Sequence, residues 1–230
     1  MRHSIWLLAS AVLLGLQMAA HANPISINFD ELAADGIVGN STGIYAGNHY
    51  AGLGILFRTG DLVAGPGGTV ILTNPVDSFE VLGGPGQPAI SPPNLAIPLG
   101  LGLRDILFIF TTPVTSVSLT SDNFSPEAPD VIRLGALRET STPNQFTVLG
   151  FDQKFDNAVA APLNLLTISL GGASFSYALF QITTESEGFD NLTFAQVPEP
   201  SSMALLGMGT LCVISSTVRR WRRKIDNRSR

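Results

Sequence analysis

Few side chains in this 230-residue chain are equipped for chemistry. His49 is the only histidine outside the first 22 residues. A Ser-His-Asp site would need it as the base, but "GNHYAG" (47–52) is a turn context and no G-x-S-x-G elbow occurs. An exposed loop side chain is the default reading of such a histidine. One histidine and no thiol in the same region cannot build a usual zinc site, since the sole cysteine, Cys212, lies in an apolar run near the C-terminus. Carboxylates are plentiful enough for the acid and base of a glycoside hydrolase, yet no pair stands out by its surroundings. The glycines of "GPGG" (65–68) lack the Lys-Ser/Thr ending and following helix of a phosphate loop. Tyr45 and Tyr50 flank the polar stretch "AGNH" (46–49), and an amphipathic ring on each side of polar atoms suits glycan contact. Trp6 and Trp221 lie in the two end segments, so the central region has no tryptophan to add to that pair.

Composition narrows the options further. Apolar residues make up 45% of the chain and charged ones 13%. Residues 23–197 hold sixteen acidic and five basic side chains, a formal charge of −11 that the whole-chain value of −5 conceals. An anionic body does not neutralise phosphates, so nucleic acid is excluded as a partner. Such a body suits solubility, divalent cations or neutral glycans. With no cysteine in it there is no disulfide either, and it must be held by its own core. About 175 residues are enough for one core.

The elements that would position any site read as strands throughout. Short runs rich in Val, Ile, Leu, Phe and Thr alternate with Gly, Pro, Asn and Asp breaks. Candidates span 25–29, 54–59, 69–73, 78–82, 105–110, 114–120, 130–137, 145–151, 163–170, 174–183 and 189–195. "SFSYALFQI" sets Phe175, Tyr177, Leu179 and Gln181 on one face and Ser176, Ala178, Phe180 and Ile182 on the other, which predicts a strand covered on both sides. Residues 60–104, broken by "GPGG", "GGPGQP" and "SPPN", read as a long loop region with two or three short strands. No helical period is persuasive. Many short strands in one domain predict an all-β fold, an antiparallel β-sandwich of jelly-roll type.

The two ends differ from the body. Arg2 and His3, an apolar run over 4–16, and Ala20-His21-Ala22 predict a signal peptide at 1–22, with Ala20 and Ala22 as the small residues of its cleavage site. Residues 201–218 carry no charge and, as a helix, extend about 27 Å, enough for a thin bilayer. Arg219, Arg220, Arg222, Arg223 and Lys224 follow at once and hold the cytoplasmic end of a span. The expectation is a single C-terminal transmembrane helix, preceded by Pro198-Glu199-Pro200. That triplet, with the marginal apolar helix and the Arg-rich tail, resembles the PEP-CTERM sorting signal of exopolysaccharide-producing Gram-negative bacteria. The resemblance covers about the last 28 residues and concerns address, not activity. It implies a partner, a membrane-embedded exosortase thought to be a cysteine peptidase, that cuts near the triplet. It also implies a transient inner-membrane stage and release of the body to the cell surface or beyond. The expected layout is a signal peptide at 1–22, a sandwich body at 23–196 and a sorting segment at 197–230.

The body also resembles carbohydrate-binding-module sandwiches, many of which hold a structural Ca²⁺ between their first and last strands. That resemblance implies Asp30, Glu31, Asp190 and Asn191 as hard oxygen ligands. The alternative is that Asp190-Asn191 caps a turn or strand end and Asp30 forms a local Asx bond. No cofactor is required by any other feature. The function expected is a non-catalytic surface or matrix protein associated with extracellular polysaccharide. A carbohydrate-binding module with Tyr45 and Tyr50 as its platform is the alternative, and a secreted glycan hydrolase trails both.

Overall fold

A computed structural model describes residues 23–29, 32, 41–83, 94–97, 105–123, 130–156, 164–182 and 187–197. Asn23–Gln196 forms a compact unit of its own. Its strands are β1 (Ile25–Ile27), β2 (Ser41–Ala46), β3 (Ile55–Ala64), β4 (Thr69–Val76), β5 (Ser78–Gly83), β6 (Asn94–Ile97), β7 (Asp105–Asn123), β8 (Asp130–Glu139), β9 (Gln145–Asp156), β10 (Asn164–Ser169), β11 (Phe175–Ile182) and β12 (Glu187–Gln196). Among the described residues there is no α-helix, only short 3-10 turns. All pairings are antiparallel, and the architecture is β-sandwich-like.

The path runs β11-β8-β9-β4-β3-β7-β12-β6-β5-β2, with β1 on β12 and β10 on β7. The 19-residue strand β7 organises it. Its first part, from Asp105 to Phe110, pairs with β3 on one side and β11 on the other. At Val114 it meets Phe175 of β11 and Gln196 of β12, and beyond that it pairs with β12 and β10. The sequence reads 105–110 and 114–120 as two strands because Pro113 has no N–H for a ladder. The chain nevertheless runs on as one strand. Pro113 is exposed at the point where partners change, and the Thr111 N–H donates to the Gly54 carbonyl at 2.9 Å.

Because β11 pairs with both β8 and β7, the strands β11, β8, β9, β4, β3 and β7 form a closed ring. Strict alternation then serves two cores. Ile106, Phe108 and Phe110 of β7, Ala178, Phe180 and Ile182 of β11, and Ile132, Leu134 and Ala136 of β8 enter the main core. Leu107 of β7, Leu179 of β11 and Leu137 of β8 meet Leu72 and Phe146 in a second, smaller core, with Tyr177 and Ile109 packed against it. The prediction that β11 is covered on both faces therefore holds, with one change. Phe175 joins the main core and not the Tyr177 face, because the register against β7 shifts between Phe175 and Tyr177.

Phenylalanines dominate the main core. Phe29 makes edge-on contacts with Tyr50, Phe57, Phe79 and Phe189, at centroid distances of 5.5 to 6.1 Å. Phe108 bridges Phe57 at 5.5 Å and Phe189 at 5.3 Å. Such pairs add roughly 0.5–1.5 kcal/mol each to the burial term.

Residues 60–104, expected as a long loop region with two or three short strands, hold three strands, β4, β5 and β6, besides the end of β3. β3 runs on to Ala64, and Pro66–Gly68 forms the turn into β4, where Gly67 and Gly68 take φ of 67° and 77°. β5 and β6 then pair with each other. β2, which pairs with β5, was not anticipated: "STGIYA" is short, polar at its start and holds a glycine.

Candidate functional site

The register of the last strand defines where the body ends. β12 pairs with β7 down to Gln196, whose partner is Val114, and the Gln196 side-chain amide reaches the Leu53 carbonyl at 3.4 Å. On its other edge β12 holds β1, with Phe194 opposite Ile25. The ladder stops just before Pro198-Glu199-Pro200, and prolines cannot donate to continue it. Pro198, Glu199, Pro200, Arg219, Arg220, Arg222 and Arg223 lie outside the described residues, as do Ala20, Ala22 and the expected transmembrane segment. Among the described residues no helix is long and apolar enough to cross a membrane.

The expected calcium ligands are only partly placed. Asp30 and Glu31 lie outside the described residues. Asp190 is fully buried on β12, and its Oδ1 accepts the Asn191 N–H at 2.6 Å. Asn191 is exposed, with φ of 51°, at a register shift between Asp190 and Thr193. This is the local Asx bond of a bulge, in which one side chain turns inward and the next outward. Among the described residues no group of three or more His, Cys, Asp or Glu is placed to hold a metal ion.

The tyrosine platform needs correction. Tyr50 is 6% exposed and packs on Phe29, Phe57 and Phe79, so it offers no ring face to a sugar. Tyr45 is half-buried, stacks on Phe79 and donates its hydroxyl to the Leu32 carbonyl. Tyr45 and Tyr50 are spaced as a platform in sequence, but the turn between them folds both rings toward the core. His49 is exposed in that turn, edge-on to both rings.

Two polar arrangements on the face of the β7-β11-β8-β9 sheet that carries the small core were not anticipated. At one end of the small core, the Tyr177 hydroxyl donates to Glu139 Oε2 at 2.6 Å, and Glu139 Oε1 accepts the Asn144 N–H at 3.2 Å. Arg58 donates from Nη1 to Asn144 Oδ1 at 3.2 Å and from Nε to Asp77 at 2.6 Å. The bond to Glu139, then burial, pushes the Tyr177 hydroxyl up to about 12. Toward the other end, the register sets Asp105, Gln181, Arg133 and Gln153 in one row across four strands. Arg133 donates from Nε to Gln153 Oε1 at 2.8 Å and from Nη1 to Gln181 Oε1 at 3.3 Å. Phe151 and Phe155 share the β9 face with Gln153 and are 62% and 67% exposed. The signal that marks them is a period-2 pattern in "FDQKF" (151–155), where rings stand on both sides of an amide.

The chain thus has a β-sandwich-like body whose last ladder residue leads directly into a proline-flagged, apolar, basic-tailed segment of sequence. That is the layout of a protein with a C-terminal sorting address. Residues 196–224 match the family model described as the PEP-CTERM protein-sorting motif, and the chain is a PEP-CTERM domain-containing protein. No curated protein matches it in sequence. Among solved structures it is similar to the K2 cleaved adhesin domain of Lys-gingipain, at 14% identity and a TM-score of 0.32, covering 75% of this chain and 99% of that one. It is also similar to the CBM22-1 xylan-binding domain of Paenibacillus barcinonensis Xyn10C, at 13% identity and a TM-score of 0.30, covering 79% and 99%. A third similarity is to the CBM22-1-GH10 modules of Clostridium thermocellum xylanase 10B, at 11% identity and a TM-score of 0.29, covering 77% of this chain and 28% of that one. These likenesses are of β architecture and carry no statement about ligands.

Proposed function

We propose that this chain is a non-catalytic surface or extracellular-matrix protein whose jelly-roll-type body is exported behind a cleaved signal peptide and held briefly at the inner membrane. An exosortase then processes it, and the body associates with exopolysaccharide. The observation that carries this reading is the sorting motif at 196–224, which begins at the last residue of the β12 ladder. A cut near the triplet removes the anchor without taking a strand from the sheet. The acidic, disulfide-free body is consistent with a soluble product in a hydrated matrix. The test is to replace Pro198-Glu199-Pro200 with Ala-Ala-Ala in the producing cell. Retention of the uncut chain in the inner-membrane fraction is expected. Unchanged release, with an unchanged C-terminus, overturns the reading.

A further inference from the structure

The exposed rings of β9 are the feature that neither the core nor the sorting segment uses. Phe151 and Phe155 stand four residues apart on one strand face, about 13 Å between Cα positions. Opposite Phe151 on β8 is Gly135, so no side chain from that neighbour covers the ring. Gln153 lies between the rings, and its row leads off sideways across β8 and β11 through Arg133 and Gln181. The guanidinium donates to both amide oxygens, which fixes the amide planes and leaves the Gln153 amide N–H groups as donors. The combination is a preorganised polar strip that starts between two exposed aromatic rings.

We propose that this strip binds a neutral polysaccharide, with Phe151 and Phe155 stacking on the apolar faces of two sugar rings and Gln153, held by Arg133, bonding the hydroxyls between them. The inference rests on the matrix-protein reading above and replaces Tyr45 and Tyr50 as its contact surface. Two other occupants fit less well. A second copy of the chain is disfavoured by area: two rings exposed by about two-thirds offer roughly 250 Å² of apolar surface, against about 800 Å² per partner in a stable interface. It would also have to cover Gln153, which lies between the rings, and Arg133 beside it. An acidic polysaccharide meets a body carrying sixteen acidic against five basic residues, so its approach is opposed by the whole field.

The test uses the purified full chain in mild detergent with neutral gluco-, xylo- and mannohexaose, and with alginate as the acidic polymer. Binding to at least one neutral hexaose is expected, reduced at least about fivefold by Phe151→Ala and by Phe155→Ala. Phe151→Tyr should keep it, and Tyr45→Ala should not change it. Unchanged thermal melting shows that the Ala variants remain folded. No binding to any neutral hexaose, binding unaffected by both Ala variants, binding to alginate alone, or a dimer that Phe151→Ala dissolves would each overturn the proposal. Binding is read on purified protein and does not depend on export. Its absence alongside normal C-terminal processing refutes the strip alone, and its presence without processing refutes the sorting reading alone.

Discussion

Removing one hydroxyl, Tyr177→Phe, tests how the small core is closed. The ring should stay, because it packs against Phe146 at a centroid distance of 5.2 Å. What is lost is the 2.6 Å bond to Glu139 Oε2. A hydrogen bond to a charged group contributes roughly 1.5–3 kcal/mol, and solvent at this half-exposed position reduces that to about 1 kcal/mol. The pH dependence carries a sign. The folded state raises the Tyr177 hydroxyl from 10.0 to about 12, through the Glu139 bond first and burial second. The folded state therefore favours the protonated phenol. Its stabilisation is complete below pH 10 and is lost as pH rises from 10 through about 12. Urea unfolding of wild type and variant at a series of pH values gives the difference directly, and the titration of other groups cancels in it. The expected gap is about 1 kcal/mol at pH 8, shrinking above pH 10. A Glu139→Gln/Tyr177→Phe cycle should show that the two residues are coupled. A gap that is absent at pH 8, or that stays constant to pH 12, would refute the reasoning.

Other substitutions probe the rest of the frame. Gly47→Ala places a Cβ 2.0 Å from the Phe57 carbonyl oxygen and 2.9 Å from the Asp77 carbonyl carbon, so the backbone must move. A loss of more than about 2 kcal/mol is expected in chemical denaturation. Phe108→Ala removes a fully buried ring between Phe57 and Phe189, and should cost about 3–5 kcal/mol by the same measurement. Asp152→Ala frees the Thr167 N–H, which its carboxylate accepts at 2.9 Å on the open edge of β10. Faster hydrogen exchange at Thr167 and a loss of about 1 kcal/mol are expected.

How much of this was legible in the sequence follows from the range of each signal. The sorting segment is linear, since its prolines, apolar run and arginines act in chain order, and it reads off directly. Most strands also read off, because alternation is local: "DILFIF" and "SFSYALFQI" show both faces apolar, and each serves one of the two cores. The continuity of β7 did not read off. Pro113 looks like a terminator, and only the partners on either side show that it marks a change of neighbour. Nor did the fate of Tyr50, since a turn residue that packs on Phe29 and Phe79 is decided by distant strands. The Arg133 row was hidden for the same reason: Gln153, Arg133 and Gln181 come from three strands and are brought together by register alone.

The claim on which most depends is that the sorting segment is removed from a body that is complete at Gln196. Intact-mass analysis of the form recovered from the cell surface tests it most directly. The account expects a chain that begins at Asn23 and ends within a few residues of Val197. A surface form that still carries Arg219 to Lys224, or one cut inside β12, would contradict it.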